Sequence, residues 1–301
     1  MSKVITAFLL FTLTGLIRPA WAVLNVLACE PEWAALAREI GGDKVAASSA
    51  TTAMQDPHRI EARPSLLARA RTADLLVCSG ADLEVGWLPL LMQQSGNRRI
   101  QSGGPGFLEA SRLVPRLEIP VVLDRAQGDV HPAGNPHVHL DPRNVIRIAE
   151  ALVERMAQLD PANAAWYRER GAAFLGRWRS AIERWEKQAA PLRGASIVVY
   201  HKDLSYLIAW LQLNEVGTLE PKPGIPPTPG HLAELVAKMQ EQPAKVIVHS
   251  AYQDPQPAQF LSQRTRIPVV ILPYTVGGTP QAPDLFGLFD DTLARLTGVL
   301  R

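Results

Sequence analysis

Residues 160–189 read DPANAAWYRERGAAFLGRWRSAIERWEKQA, and this stretch decides how the chain is organised. Asp160 and Pro161 are typical of a helix N-cap and a first helical residue, and no proline follows them up to Ala189. Large apolar residues recur at spacings of eight, four, four and three, which places them on one helical face: Trp166, Phe174, Trp178, Ile182 and Trp185. The stretch therefore predicts a helix of nearly the full thirty residues, which is long for a small domain.

Short apolar strands alternate with helices on both sides of this stretch. The predicted strands are Leu24–Ala28, Val45–Ala50, Ala73–Cys78, Val121–Leu123, Ala195–Tyr200, Lys245–Val248 and Val269–Leu272. The predicted helices are Pro31–Ile40, Leu88–Gln94, a helix from Pro142 through Met156, Leu204–Leu211, His231–Gln240, Ala258–Arg264 and Asp284–Leu300. This alternation indicates parallel sheets that are covered on both faces. The expected fold is α/β, with two Rossmann-like lobes (residues 23–158 and 191–301) joined by a single long rigid helix at 159–190. Ligands of such sheets bind beyond the carboxyl ends of the strands, which here predicts a site in the interlobe cleft.

Residues 1–22 have the features of a signal peptide. Lys3 precedes an uncharged apolar run over residues 4–17, and Ala20-Trp21-Ala22 predicts cleavage after Ala22. The run is shorter than the ~20 apolar residues of a membrane-spanning helix, so a permanent anchor is disfavoured. A lipoprotein would need a cysteine at the cleavage point, and Leu27 poorly suits the small-residue pattern before Cys29. A periplasmic protein is expected.

The composition excludes several other classes of protein. Of 301 residues, 47% are hydrophobic and 20% charged, which is typical of a globular protein and excludes disorder. The formal charge of +2, without a basic cluster, argues against a nucleic-acid partner. Two cysteines cannot form a disulfide framework or a four-cysteine zinc site. In an oxidising compartment Cys29 and Cys78 could pair, although two buried free thiols are slightly favoured because the sequence does not fix their separation.

Three histidines lie at or beyond the carboxyl ends of predicted strands: His58, His137 and His201. A proline precedes the first two and stiffens the backbone there. Imidazoles held at one cleft suit zinc, which takes three or four nitrogen, oxygen or sulfur ligands. The spacing alone is weak evidence, since loop histidines are more often plain surface residues.

The other histidines are weaker candidates. His139 lies two residues before a helix start, so little strand can form there to pair it with His137. His131 lies in a polar loop and is interpreted as plain loop rather than as a metal collector. His231 opens a helix, whereas His249 ends a strand and faces the cleft by position.

Specific motifs then give a resemblance to a known family. Asp56-Pro57-His58, Asn135-Pro136-His137 with Leu140-Asp141-Pro142, and Tyr200-His201 at a strand end carry it. The chain resembles, over essentially residues 24–301, the zinc/manganese-type (cluster A-I) periplasmic solute-binding proteins of ABC transporters. The resemblance implies two lobes joined by one rigid helix, with a metal bound between them.

By the same resemblance, His58, His137 and His201 are expected metal ligands. The fourth ligand of the family is often an aspartate after the last strand, where this chain has Pro273. Asp284 could reach the cleft or cap the final helix, and Glu61, His249 or a water are the other candidates. Three imidazoles with one oxygen favour Zn²⁺ over Mn²⁺ as the transported ligand, although copper or nickel could also bind. The implied partners are an ABC permease and its ATPase at the inner membrane, with the binding protein itself a monomer.

Two other functions remain open at this level. An exported zinc-dependent hydrolase would need an open coordination position, an activated water and a general base. Glu61, Asp203 or Asp284 could be that base, but the chain contains no His-Glu-x-x-His motif. A binder of an organic metal chelate would need an aromatic or cationic cleft, whereas aromatics make up only 6% of the chain. Transport without catalysis is therefore the favoured function.

Overall fold

The strands form two parallel sheets, each covered by helices. The computed structural model describes residues 23–122 and 124–300, so the predicted signal peptide lies outside the described residues. The first lobe contains β1 (Leu24–Ala28), α1 (Pro31–Gly41), β2 (Val45–Ser49), α2 (Pro64–Thr72), β3 (Leu75–Cys78), α3 (Leu88–Ser95), β4 (Phe107–Glu109) and α4 (Pro142–Leu159). The long helix α5 (Ala164–Ala189) follows. The second lobe contains β5 (Ser196–Val199), α6 (Ser205–Leu211), β6 (Asn214–Thr218), α7 (Pro229–Glu241), β7 (Val246–Ser250), α8 (Gln256–Thr265), β8 (Val269–Leu272) and α9 (Leu285–Leu300).

Both sheets have the same strand order. The first sheet runs β2-β1-β3-β4 and the second β6-β5-β7-β8, with parallel pairing throughout. In each sheet the second strand along the chain lies on one side of the first strand, and the third strand lies on its other side. Ligands of open parallel sheets bind at such a switch point, outside the carboxyl ends of the strands. The predicted fold class of two α/β lobes is confirmed.

The long helix α5 is fastened to elements of both lobes. Its tryptophans donate their indole N–H groups to three different elements. Trp166 donates to the carbonyl of Gly41 at the end of α1 (2.8 Å), and Trp178 donates to the carbonyl of Pro142 at the start of α4 (2.8 Å). Trp185 donates to the Asp290 carboxylate on α9 (2.6 Å). Each bond satisfies a polar atom on an otherwise apolar face, so the helix can be buried without orphaned donors.

The apolar core is continuous from one lobe to the other. One cluster extends from Trp33 on α1 through Phe174 and Trp178 on α5 to Phe289 on α9. Two smaller clusters lie on the outer sheet faces, one beneath α2 and α3 and the other beneath α7 and α8. Separating the lobes widely would expose the central cluster to water, which is unfavourable in proportion to the apolar area exposed. The packing therefore favours a rigid connection.

Four features differ from the sequence-based expectation, and one of them is helix α2 (Pro64–Thr72), which was not predicted. The predicted strand Val121–Leu123 is wrong, because Val121 and Val122 are bends with exposed fractions of 101% and 73%, while Leu123 lies outside the described residues. The edge strands β4 and β6 were not predicted. β4 has only three residues, and β6 is mostly polar and buries only Val216. An edge strand has one neighbour and can stay short and polar, so it carries little of the apolar signal on which the prediction depends.

Candidate metal centre

Three histidines from distant parts of the chain meet in the cleft. His58 lies in the loop between β2 and α2, His137 in the loop before α4, and His201 two residues beyond β5. Their ring centroids are 5.7 to 5.8 Å apart, and one ring nitrogen from each lies within 4.8 Å of the others. His137 and His201 are buried, while His58 is partly exposed. The structure therefore brings these three sequence-predicted residues together.

The two Asx-Pro-His motifs orient their histidines in the same way. In the first, Asp56 Oδ1 accepts hydrogen bonds from the His58 backbone N–H (3.0 Å) and from its ring Nδ1 (2.7 Å). In the second, Asn135 Oδ1 accepts from the His137 backbone N–H (3.0 Å) and ring Nδ1 (2.9 Å). The intervening proline restricts the backbone, so one oxygen two residues earlier reaches both donors. The motif is thus a local device that fixes the imidazole ring.

The third histidine is oriented by a carboxylate from elsewhere in the second lobe. His201 Nδ1 lies 2.7 Å from Glu220 Oε2, just beyond β6. Since each of the three Nδ1 atoms faces an oxygen acceptor, each Nε2 is left with its lone pair for a metal. His137 Nε2 is buried and has no hydrogen-bond partner. A buried nitrogen without a partner is costly unless a ligand occupies the site, so the residues present fit a bound cation.

The protonation of these histidines follows from burial and from their acceptors. Burial, followed by the charges of His58 and His201, holds the pKa of His137 well below its ordinary value. Burial also lowers the pKa of His201, but the hydrogen bond that its Nδ1–H donates to Glu220 and the charge of Asp203 outweigh burial, and the pKa is raised overall. The centre therefore combines a strongly neutral imidazole with one that its carboxylate makes more basic. Only the neutral forms can ligate a metal, so a cation displaces a proton from an imidazole only where that imidazole is protonated.

The candidates for the fourth ligand do not belong to the group of ligand atoms that the triad forms among the described residues. Asp284 is exposed at the start of α9, where its Oδ1 accepts a hydrogen bond from the Gly287 N–H (2.8 Å). It therefore caps the final helix and does not lie in the cleft. Glu61 is exposed beside Arg63. His249 is buried, with its Nδ1 directed at the carbonyl of Ser250 (3.0 Å).

The remaining residues that the sequence singled out have structural partners. His139 is fully buried, with Nε2 2.9 Å from the carbonyl of Tyr274 and Nδ1 3.3 Å from Glu32. His231 bonds the carbonyl of Thr218 (2.9 Å). Asp203 is held by the Ser250 hydroxyl (2.7 Å), and burial raises its pKa.

The structure also places His131 beside the triad. Its Nε2 lies 3.3 Å from His58 Nε2, and the two rings stack at a centroid distance of 5.4 Å. Burial, followed by the charges of His58 and His201, lowers the pKa of His131 to about 4. The sequence favoured plain loop over a metal collector for His131, whereas the structure places its side chain against His58 of the triad. Only the path of the loop brings it there, and the local sequence carries no signal of that path.

Two cysteines form a disulfide behind the His58 loop. Cys29 and Cys78 pair, with Cα atoms 4.8 Å apart, at the carboxyl ends of the neighbouring strands β1 and β3. The slight preference for free thiols was therefore wrong. Register decides the outcome, because adjacent parallel strands bring the two residues side by side. Thr51, beyond β2, donates its backbone N–H and its hydroxyl to the carbonyl of Cys29, which ties the disulfide to the start of the His58 loop.

Comparison with known proteins identifies the family. Residues 26–299 match the family model of ZnuA, described as the periplasmic component A of the zinc-uptake complex. The chain belongs to this family. It is therefore a cluster A-I metal-binding protein, as the motifs implied, and a substrate-binding component of a metal ABC transporter rather than an enzyme. The hydrolase alternative has no support.

The relatives differ in the metals for which they are named. The metal ABC transporter substrate-binding lipoprotein ScbA of Streptococcus cristatus is 24% identical over 256 residues, covering 82% of this chain and 78% of its own. The manganese ABC transporter substrate-binding lipoprotein scaA of Streptococcus gordonii is 24% identical over 257 residues, with the same coverage. A crystal structure of ZnuA matches with a TM-score of 0.78 at 21% identity, covering 93% of this chain and all of that one. Membership thus establishes that the protein carries a metal and that its partner is a permease with its ATPase.

Two further findings concern location. Proteins of this family are extracytoplasmic. Among the residues that the structure describes, no helix combines the length and apolar character needed to cross a membrane.

Proposed function

We propose that this protein captures Zn²⁺ in the periplasm with His58, His137 and His201 and delivers it to an inner-membrane ABC permease. The observation that carries the proposal is the common orientation of the three rings. Each Nδ1 faces an oxygen acceptor, so three Nε2 atoms are available at one point of the cleft. Such outer partners fix the tautomer of a ligating histidine and raise its basicity.

The nature of the donors supports zinc over manganese. Within the described residues, the cleft group of metal-ligating side chains contains three imidazoles and no carboxylate. Imidazole suits zinc, whereas manganese prefers carboxylate and water oxygens. The carboxylates of Asp56 and Glu220, which contact His58 and His201, are engaged with the Nδ1 atoms of these histidines.

The remaining parts of the proposal concern processing and organisation. Residues 1–22 serve as a cleaved signal peptide, and the mature protein acts as a monomer. Residues 23–158 and 191–301 are the two lobes, and residues 159–190 are the rigid connector between them. The anchoring of Trp166 and Trp185 of α5 to α1 and α9 supports this division.

Replacing each ligand tests the proposal. His58→Ala, His137→Ala and His201→Ala should each weaken zinc binding by more than ~10-fold, because loss of an outer partner alone typically costs ~10–100-fold. His231→Ala is the matched control, since His231 lies on α7 and bonds the carbonyl of Thr218 instead. Zinc affinity would be measured by competition with a chromogenic chelator, and stoichiometry by elemental analysis. Unchanged affinity in all three cleft variants would refute the ligand set.

A second variant tests the choice of metal. Divalent metals follow a common affinity order in which zinc exceeds manganese at almost any site, so relative affinity is the informative quantity. His201→Glu replaces one imidazole by a carboxylate and should narrow the ratio of zinc to manganese affinity. An unchanged ratio would show that the imidazole at this position does not set the preference for zinc.

A further inference from the structure

A loop from the first lobe crosses the cleft beside the triad. We call residues 124–134 the cover loop. Its residue Asp129 donates its backbone N–H to the carbonyl of Pro223 in the second lobe (2.8 Å), and Lys222 Nζ donates to the carbonyl of Ala126 (2.5 Å). On the first lobe, Arg59 contacts the Asp129 carboxylate (3.2 Å). The cover loop thus bridges the two lobes over the cleft.

The contacts of the cover loop lead to the triad by two routes. Directly, His131 stacks on His58 and lies 6.4 Å from the ring centroid of His137. Indirectly, Gly224 packs so closely against Asp129 that a Cβ at that position would clash with its carboxylate. The Gly224 N–H donates to Glu220 Oε2 (2.9 Å), the oxygen that also contacts His201 Nδ1. The position of the loop is therefore coupled to all three histidines, most closely to His58 and His201.

The distance between His131 and His58 fits shared coordination. Zinc binds imidazole nitrogen at ~2.0–2.1 Å, and a tetrahedral angle then separates two ligand nitrogens by about 3.3 Å. The two Nε2 atoms are 3.3 Å apart. Since His58 Nδ1 faces Asp56, its Nε2 presents a lone pair toward His131. These two imidazoles are therefore spaced to ligate one metal. Among the described residues, the ligand atoms that all lie within 4.8 Å of one another belong to His58, His137 and His201, so His131 must shift toward the other two histidines when it joins them.

We propose that His131 is the fourth ligand of the metal, and that its coordination locks the cover loop across the cleft. The inference rests on the proposed function, because it adds a ligand to the same site. It predicts a four-imidazole shell, which excludes water from the metal and disfavours manganese further. It also predicts that release to the permease requires the cover loop to open.

Spectroscopy on the intact protein tests the coordination. Zinc-edge X-ray absorption should count four imidazoles in the wild-type protein and three in His131→Ala. His131→Ala should still bind one zinc, because the triad remains, but at least ~10-fold more weakly. Three imidazoles in the wild-type protein, or wild-type affinity in His131→Ala, would overturn the proposal. Neither result would affect the proposed function, which fails only if the triad variants retain zinc binding.

A second variant separates ligation from loop packing. Lys222→Ala removes a tie between the cover loop and the second lobe but leaves every imidazole in place. It should retain four imidazoles in the X-ray absorption spectrum while losing part of the zinc-induced hydrogen-exchange protection of residues 124–134. In the wild-type protein, zinc should slow exchange in these residues, and in His131→Ala it should not. Equal protection of the loop in the wild-type protein and His131→Ala would contradict locking by coordination.

Discussion

Glu220 is expected to strengthen metal binding through His201, although Glu220 is not itself one of the proposed ligands. Glu220 Oε2 contacts both His201 Nδ1 (2.7 Å) and the Gly224 N–H (2.9 Å), and the side chain is only 13% exposed. In Glu220→Ala, His201 loses the acceptor that holds its ring, and the buried Nδ1–H has no replacement. Losses of such outer partners typically weaken metal binding ~10–100-fold, equivalent to about 1.4–2.7 kcal/mol.

The chain offers both a conservative variant and a matched control for this test. Glu220→Gln keeps an acceptor oxygen and should recover most of the affinity. Glu215→Ala removes another partly buried carboxylate of the same segment, whose partner is Lys202 rather than a histidine, and should leave zinc affinity unchanged. Zinc dissociation constants would be obtained at pH 7.5 by competition with a chromogenic chelator. If Glu220→Ala bound zinc as tightly as Glu215→Ala, the proposed orientation of His201 by Glu220 would be refuted.

Three other predictions concern pH, packing and the disulfide. Burial keeps His137 neutral in the folded protein, so its contribution to stability is present above the unfolded pKa of ~6.5 and is lost as pH falls. Zinc also binds only neutral imidazoles, and zinc at 100 times its Kd stabilises the folded protein by ~2.7 kcal/mol. Saturating zinc should therefore raise the melting temperature strongly at pH 7.5 and weakly near pH 5. An equal rise at both pH values would argue against histidine ligands. A Cβ on Gly171 would clash with Val153 of α4, so Gly171→Ala should lower the free energy of unfolding, measured with denaturant, by ~1–3 kcal/mol. Gly176 on the same helix has open space around it, so Gly176→Ala is the control and should be neutral or stabilising. Removing the disulfide in a Cys29→Ser, Cys78→Ser double variant should cost about 4 kcal/mol by the loop-entropy relation for a separation of 49 residues, and an unchanged melting temperature would contradict it.

Much of the fold and part of the centre could be predicted because the interactions involved are local. The periodicity of Phe174, Trp178 and Trp185 predicts α5, since a helix repeats its face every 3.6 residues whatever surrounds it. Asp56 and Asn135 are equally readable, because each orients a histidine only two residues away. The apolar strands β1, β3, β5 and β7 were also identifiable, as central strands of a parallel sheet are buried on both faces.

Only the tertiary structure decided the features that depend on distant contacts. Glu220 reaches His201 across 19 residues, and His131 reaches His58 across 73. Asp284 caps α9 instead of entering the cleft, and the register of β1 against β3 decides that Cys29 pairs with Cys78. The physical reason is that a sequence pattern records what each residue prefers in its own segment. The separation of two side chains on different segments depends instead on how sheets, helices and loops pack into one core.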